Sequence, residues 1–129
     1  MFARVAVIGA GSWGTTIGSI ACRQVPTTLW ARRKDVADQI NDHHRNPAYT
    51  GELWLSGLTA TASLEDALDG AELVVMAVPS HGFRAVLEKA EPWIAGDTPI
   101  LSVTKGMEQG TLRRMTEVIA EVAPGRPVA

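Results

Sequence analysis

The chain has 129 residues, of which 46% are hydrophobic and 20% are charged. That balance indicates one soluble globular domain, and the length excludes a cofactor domain and a substrate domain side by side. The net charge of −2 offers no basic stripe for nucleic acid. The lone Cys22 cannot form an internal disulfide. No apolar run reaches the roughly 20 residues of a membrane span. The single cysteine and the lack of such a run together lead us to expect a cytoplasmic protein.

Strand-like and helical patterns alternate along the first part of the chain. Arg4 to Ile8 is an apolar run closed by glycines and predicts a buried strand. Ser12 to Arg23 has helical spacing, Thr27 to Ala31 predicts a second strand, and Asp35 to Asn41 a short helix. The residues expected to face the core are Trp13, Ile17, Ile20 and Ala21 on the first helix, and Val36, Ala37 and Ile40 on the second.

The middle of the chain is less regular. Asp42 to Gly57 has no clear period and predicts a loop with room for a helical turn. Leu58 to Thr61 predicts a short edge strand. Ser63 and Asp66 then resemble a capping box that opens a brief helix.

Two further strand and helix pairs complete the pattern. Glu72 to Pro79 and Pro99 to Thr104 predict buried strands. A helix follows each of these strands. The first begins at Ser80, and its inward face is predicted as Phe83, Val86, Leu87 and Ala90. The second runs from about Thr111 to Val122, and its inward face is predicted as Leu112, Met115, Val118, Ile119 and Val122. Arg126 to Ala129 looks like the start of another strand. The alternation predicts an α/β fold with a doubly wound, mainly parallel sheet.

A glycine-rich motif, G-x-G-x-x-G, separates the first strand from the first helix. In this motif Gly9 permits the tight turn, Gly11 lets the backbone approach a pyrophosphate, and Gly14 lets helix and strand pack closely. The helix N-terminus adds free N–H groups for phosphate oxygens. The alternative is a glycine-rich turn with no ligand, and the strand and helix on either side favour the dinucleotide site.

Two arginines end the second strand where a site for NAD usually has an acid. Arg32 and Arg33 come before the first acidic residue, Asp35. Guanidinium groups suit a 2′-phosphate, which favours NADP(H) over NAD(H) as the cofactor, with NAD(H) possible. The alternative is a solvated entry to the next helix.

Two other segments place polar residues at strand ends, where ligands of such folds bind. Ser80 and His81 follow the fourth predicted strand, and Lys105 follows the fifth. The alternatives are a helix cap for Ser80 and a surface position for each of the other two. His43 and His44 have no partners at metal-ligand spacing, so no metal site is proposed.

Several motifs together resemble one family. They are Val7–Thr16, Leu29–Arg33, Asn46–Tyr49, Ala77–Ser80 and Ser102–Gly106, and they occur in the order found in NAD(P)-dependent glycerol-3-phosphate dehydrogenase. The likeness covers essentially the whole chain and matches the amino-terminal cofactor domain only. Gly-Ser-Trp-Gly and Thr-Lys-Gly are its specific elements, since the glycine motif alone fits many dehydrogenases.

The resemblance implies a Rossmann-type domain and an enzyme that interconverts sn-glycerol 3-phosphate and dihydroxyacetone phosphate by hydride transfer, feeding phospholipid synthesis. It implies that Tyr49 contacts the dinucleotide only distantly and that Lys105 lies where cofactor and substrate meet. The catalytic lysine and the substrate-phosphate site of the family belong to a helical carboxyl-terminal domain. The predicted cofactor-binding residues are Gly9, Gly11, Ser12, Trp13, Gly14, Arg32, Arg33, Tyr49 and Lys105, the last also binding substrate.

From this resemblance we expect residues 1–129 to form the dinucleotide-binding domain, with the helical domain absent and the sheet truncated before its last strand. The fragment alone should then be inactive. An unpaired edge on the Pro99 to Thr104 strand, or an uncovered helix face, would favour a homo-oligomer. The alternatives are the cofactor domain of another reductase, of ketopantoate or 6-phosphogluconate type, and a non-enzymatic dinucleotide sensor.

Overall fold

All five strands run parallel in one sheet. The computed structural model describes residues 1–129, and the strands are β1 (Val5–Ile8), β2 (Thr27–Trp30), β3 (Thr59–Thr61), β4 (Leu73–Met76) and β5 (Ile100–Ser102). Their order across the sheet is β3-β2-β1-β4-β5. Crossovers run outward from β1 in both directions, so the predicted doubly wound α/β fold is confirmed.

Helices connect the strands. They are α1 (Ser12–Ala21), α2 (Lys34–His43), α3 (Pro47–Thr50), α4 (Leu64–Leu68), α5 (Ser80–Ala90) and α6 (Met115–Val122), with a 3-10 turn at Glu91–Trp93. The helical turn expected in the long loop is α3. The predicted cap of α4 is confirmed as well, because the Ser63 hydroxyl accepts the Asp66 N–H at 3.1 Å. None of these helices combines the length and the apolarity needed to cross a bilayer.

The central strands β1 and β4 are covered on both faces, which explains why they are apolar throughout. Alternate residues of β1 belong to different cores: Val5 and Val7 to one, Ala6 and Ile8 to the other. The first core also contains residues of α2, and the second contains residues of α4, α5 and α6. The two cores fix the sheet between two layers of helices.

The predicted inward face of α1 is wrong in part. Its buried residues are Gly14, Thr15 and Gly18, whereas Trp13 and Ile20 are 59% and 58% exposed. The physical reason is the short distance between α1 and the sheet. A Cβ atom at Gly14 would overlap the Gly9 carbonyl oxygen, and one at Gly18 would lie 3.2 Å from a methyl group of Leu58. Small residues therefore occupy the most covered positions, Ile17 packs half-buried against the core as predicted, and Trp13 and Ile20 are left outside.

The last helix begins later than the sequence predicts. It starts at Met115, and Leu112, expected on its inward face, is 70% exposed with a φ of 58°. A compact turn replaces the missing helical turn: Glu108 N–H donates to the Arg113 carbonyl at 2.8 Å, and Leu112 N–H donates to the Glu108 carbonyl at 2.9 Å. Helical spacing in the sequence cannot distinguish this turn from the helix that it precedes.

The edge of β5 that faces away from β4 is paired with backbone of residues 127–129, so the prediction of an unpaired edge is wrong. Ile100 N–H donates to the Pro127 carbonyl at 3.0 Å, and Ser102 N–H donates to the Ala129 carbonyl at 2.7 Å. Val128 forms an isolated parallel bridge with Ile100, so residues 126–129 lie alongside β5 without forming a sixth strand. Self-association through a helix face stays a prediction.

The contact between α1 and the glycine turn predicts a stability difference between two glycine variants. Gly14→Ala should lower the free energy of unfolding by about 3 kcal/mol, because backbone atoms would have to move to admit the methyl group. Gly11→Ala is the matched control, since an added Cβ there meets no other atom within 4 Å and φ is −76°. Urea unfolding of both variants measures the difference, and equal stabilities would contradict the packing argument.

Candidate functional site

The carboxyl ends of four strands border one large cleft. Ile8, Trp30, Met76 and Ser102 are in register across β2, β1, β4 and β5, so the segments that follow them leave the sheet at the same edge. The cleft there has a volume of about 900 Å³. The lining includes every predicted site residue except Gly14, namely Gly9, Gly11, Ser12, Trp13, Arg32, Arg33, Tyr49 and Lys105.

The glycine turn forms the floor of this cleft, and its three glycines differ in role. Gly9 has a φ of 121°, and a Cβ there would lie 2.7 Å from the Ala77 carbonyl oxygen of the neighbouring strand end. Gly14 is buried in the contact between α1 and the turn and does not reach the cleft. Gly11 lines the cleft with open space where its side chain would be.

The N-terminus of α1 presents unpaired backbone donors at the same place. The first backbone hydrogen bond of the helix is the one that Thr15 N–H donates to the Gly11 carbonyl at 3.0 Å. The N–H groups of Ser12 and Trp13 precede it, and no acidic side chain lies in this first turn. Such a turn suits an anion, and the room above Gly11 lets the anion approach the backbone.

A buried asparagine, which the sequence reasoning did not assign, holds the long loop against the glycine turn. The side chain of Asn46 donates to the Ala10 carbonyl and to the Thr15 hydroxyl, both at 2.9 Å. The Ser12 hydroxyl donates to the Tyr49 carbonyl at 3.0 Å. These contacts bring Tyr49 to the rim of the cleft, where it is about half exposed. Asn46 opens the Asn46–Tyr49 motif of the family resemblance, which is the signal in the sequence that could have indicated this anchor.

The two arginines after β2 both line the cleft but have different surroundings. Arg33 makes a two-pronged ion pair with Asp35, with donor–acceptor distances of 3.0 and 2.6 Å. Arg32 is exposed and has no hydrogen-bond or ion-pair partner in the structure. Arg32 is therefore the cation that is free for a ligand at this end of the cleft.

Lys105 lies at the opposite end of the cleft, on the segment after β5. The preceding residue anchors this segment, because the Thr104 hydroxyl donates to the Val78 carbonyl at 2.6 Å. Gly106 follows with a φ of 101° and approaches Ser80 at the start of α5. Lys105 itself is exposed and forms no ion pair. The predicted strand-end residues Ser80 and His81 line the same part of the cleft.

The charge of the cleft is entirely of one sign. Its charged lining residues are Arg32, Arg33 and Lys105, and no aspartate or glutamate contributes to the wall. Together with the helix N-terminus, this arrangement attracts an elongated anion. The structure has no cluster of three or more His, Cys, Asp or Glu side chains that could hold a metal ion.

An ion-pair network fixes the turn that follows Lys105. Arg84 of α5 donates to both carboxylate oxygens of Glu108, at 2.7 and 2.9 Å, and to Glu121 of α6 at 2.8 Å. Glu121 also pairs with Arg113 at 2.6 Å. The Arg84 guanidinium and the Thr111 hydroxyl lower the pKa of Glu108 to about 2, because both stabilise its ionised form. The network therefore ties the turn between β5 and α6 to the helix beside the cleft.

This network predicts a pH dependence of stability. The pKa of Glu108 falls from 4.5 to about 2 on folding, so its contribution is complete above about pH 4.5 and is lost as the pH falls toward 2. Glu108→Gln should therefore flatten the decrease in the free energy of unfolding over that interval. Glu88→Gln on α5 is the control, since Glu88 is exposed and forms no ion pair. Parallel slopes for wild type and Glu108→Gln in urea unfolding would contradict this account.

The parallel sheet, the glycine turn and the cationic cleft at the strand ends define a Rossmann-type α/β domain. The family model that matches residues 4–129 is described as NAD-dependent glycerol-3-phosphate dehydrogenase N-terminus. The chain therefore belongs to this family and corresponds to its amino-terminal domain. This confirms the resemblance drawn from the sequence motifs.

Individual relatives agree with the family match. A glycerol-3-phosphate dehydrogenase [NAD(P)+] of Mycobacterium avium is 47% identical over 130 residues, covering 96% of this chain and 37% of the relative. The crystal structure of glycerol-3-phosphate dehydrogenase from Coxiella burnetii superposes with a TM-score of 0.88 at 30% identity, covering 97% of this chain and 39% of that one. A ketopantoate reductase from Ralstonia eutropha has a TM-score of 0.76 at 21% identity, with 97% and 39% covered, which shows a shared fold alone. The chain thus spans less than half the length of these proteins.

Proposed function

We propose that the cleft binds a nicotinamide dinucleotide, with NADP(H) preferred and NAD(H) accepted. The observation that carries this proposal is the cleft wall, which has three cationic side chains, no carboxylate and a glycine turn open to the ligand. NADP(H) carries a pyrophosphate and a separate 2′-phosphate, which is the charge pattern that this wall would complement.

The residues divide into groups by their place along the cleft. The backbone N–H groups of Ser12 and Trp13 would hold the pyrophosphate above Gly11, and Arg32 would bind the 2′-phosphate with a smaller contribution from Arg33. Tyr49 would border the dinucleotide more distantly. Lys105 would contact the cofactor and, at the same end of the cleft, the substrate. The bound nicotinamide would supply the hydride acceptor or donor.

We further propose that the chain is the cofactor domain of an enzyme that interconverts sn-glycerol 3-phosphate and dihydroxyacetone phosphate in phospholipid synthesis. Family membership supports this reaction, and the names of the matched relatives agree with it. The proton donor and acceptor for the substrate oxygen, and the site for the substrate phosphate, would come from a helical carboxyl-terminal domain. A cytoplasmic location and a homo-oligomeric assembly belong to the same proposal.

A comparison of NADPH with NADH tests the cofactor site. The chain should bind both dinucleotides, NADPH more tightly than NADH. Arg32→Gln should weaken the binding of NADPH about 10-fold, because a charge-assisted phosphate contact is lost. NADH binding should change little, since NADH has no 2′-phosphate. Fluorescence titration and calorimetry give both dissociation constants.

Arg45→Gln serves as the control for that comparison. Arg45 is exposed like Arg32 but pairs with Glu52 at 2.8 Å and does not line the cleft. Its loss should leave the affinity ratio of the two dinucleotides unchanged. Failure of the wild-type chain to bind either dinucleotide would overturn the proposed function, and equal losses for NADPH and NADH in Arg32→Gln would overturn the role of Arg32.

The same proposal predicts that the 129-residue chain is catalytically silent. The family resemblance assigns the catalytic lysine and the substrate-phosphate site to a helical carboxyl-terminal domain, and proton transfer to the substrate oxygen needs a positioned acid or base. Purified chain that binds NADPH should not consume it in the presence of dihydroxyacetone phosphate. A steady loss of NADPH absorbance that depends on the concentration of the chain would contradict the assignment of proton transfer to another domain.

A further inference from the structure

The fork formed by Arg33 and Asp35 distinguishes two arginines that the sequence presents as equivalent. The Arg33 Nε and Nη2 atoms donate to the two oxygens of the same Asp35 carboxylate, at 3.0 and 2.6 Å. This occupies one of the edges by which a guanidinium binds a phosphate in a two-pronged manner. Arg32 has no such partner, although both arginines line the cleft.

The position of Asp35 favours this pairing. Asp35 lies in the first turn of α2, where the helix dipole stabilises a carboxylate, and Arg33 occupies the N-cap position of that helix. A carboxylate beside Arg33 lowers the positive potential that a 2′-phosphate would meet there. It also repels a phosphate dianion directly, and it has no such effect on the 2′-hydroxyl of NAD(H).

We propose that Asp35 is a positioning residue that sets the cofactor preference of this chain. By restraining Arg33, it weakens the binding of the 2′-phosphate and so keeps NAD(H) within the range of accepted cofactors. Arg32 then provides most of the remaining preference for NADP(H). This inference rests on the proposed function of the cleft, and it adds a residue that lies outside the cleft wall.

The chain contains a matched control one turn further along the same helix. Asp38 pairs with Lys34 at 2.8 Å and is about as exposed as Asp35, with 49% against 63% of the side chain accessible. Neither Asp38 nor Lys34 lines the large cleft. Asp38→Asn therefore changes the net charge of α2 by the same amount as Asp35→Asn without releasing an arginine at the site.

The test is the ratio of NADPH to NADH affinity in four forms of the chain. Asp35→Asn should raise the ratio about 5-fold, because Arg33 becomes free to bind the 2′-phosphate, whereas Asp38→Asn should leave it unchanged. Adding Arg33→Gln to Asp35→Asn should abolish the gain, since the two side chains act through one interaction. NADH is the internal reference, because a general loss of structure would weaken the binding of both dinucleotides.

The outcomes separate this inference from the proposed function. If the wild-type chain binds both dinucleotides and Asp35→Asn lowers the affinity ratio or leaves it unchanged, the role of Asp35 is overturned and the cofactor site stands. Equal increases in the two aspartate variants would assign the effect to the net charge of α2 and would also overturn it. A wild-type chain that binds neither dinucleotide would overturn the proposed function and the role of Asp35 together.

Discussion

The lack of a side chain at Gly14 sets the distance between α1 and the strands beneath it, and the site depends on that distance. Because a Cβ there would overlap the Gly9 carbonyl oxygen, the first turn of the helix can rest directly on the turn that leaves β1. The helix N-terminus is thereby aimed across the ends of the central strands. The same close contact reserves the most covered positions of α1 for small residues, which explains the exposed Trp13 and Ile20.

Parallel pairing then decides where charge accumulates. Since neighbouring strands end in register, the segments after β1, β2, β4 and β5 come together although they are far apart in the sequence. Of the acidic residues near the cleft, Glu108 is held away from the wall by Arg84, whereas Asp35 is paired with Arg33 of the wall itself. Arg32 and Lys105 therefore have no acidic partner, and Arg33 is the one paired cation of the wall. The loops that carry these groups are fixed by buried or part-buried polar contacts, notably those of Asn46 and Thr104.

Much of the fold and the position of the candidate site could be predicted from the sequence. Runs of apolar and β-branched residues located the strands, because the strands of a sheet covered by helices on both faces consist mainly of such residues. The spacing of the glycine motif located the turn and the helix start. The two arginines and Lys105 were assigned to the same cleft because parallel strands end at one edge.

Several features depended on the tertiary structure. The sequence determined that Trp13 and Ile20 share a helix face, but only packing against the sheet decided that glycines form the covered face. It showed Leu112 at helical spacing, whereas the hydrogen bonds of the 107–114 turn decided where α6 begins. Local patterns report which residues lie together on one element. Which face is covered, and which arginine is neutralised by which acid, depend on contacts between segments and on side-chain geometry that no periodicity records.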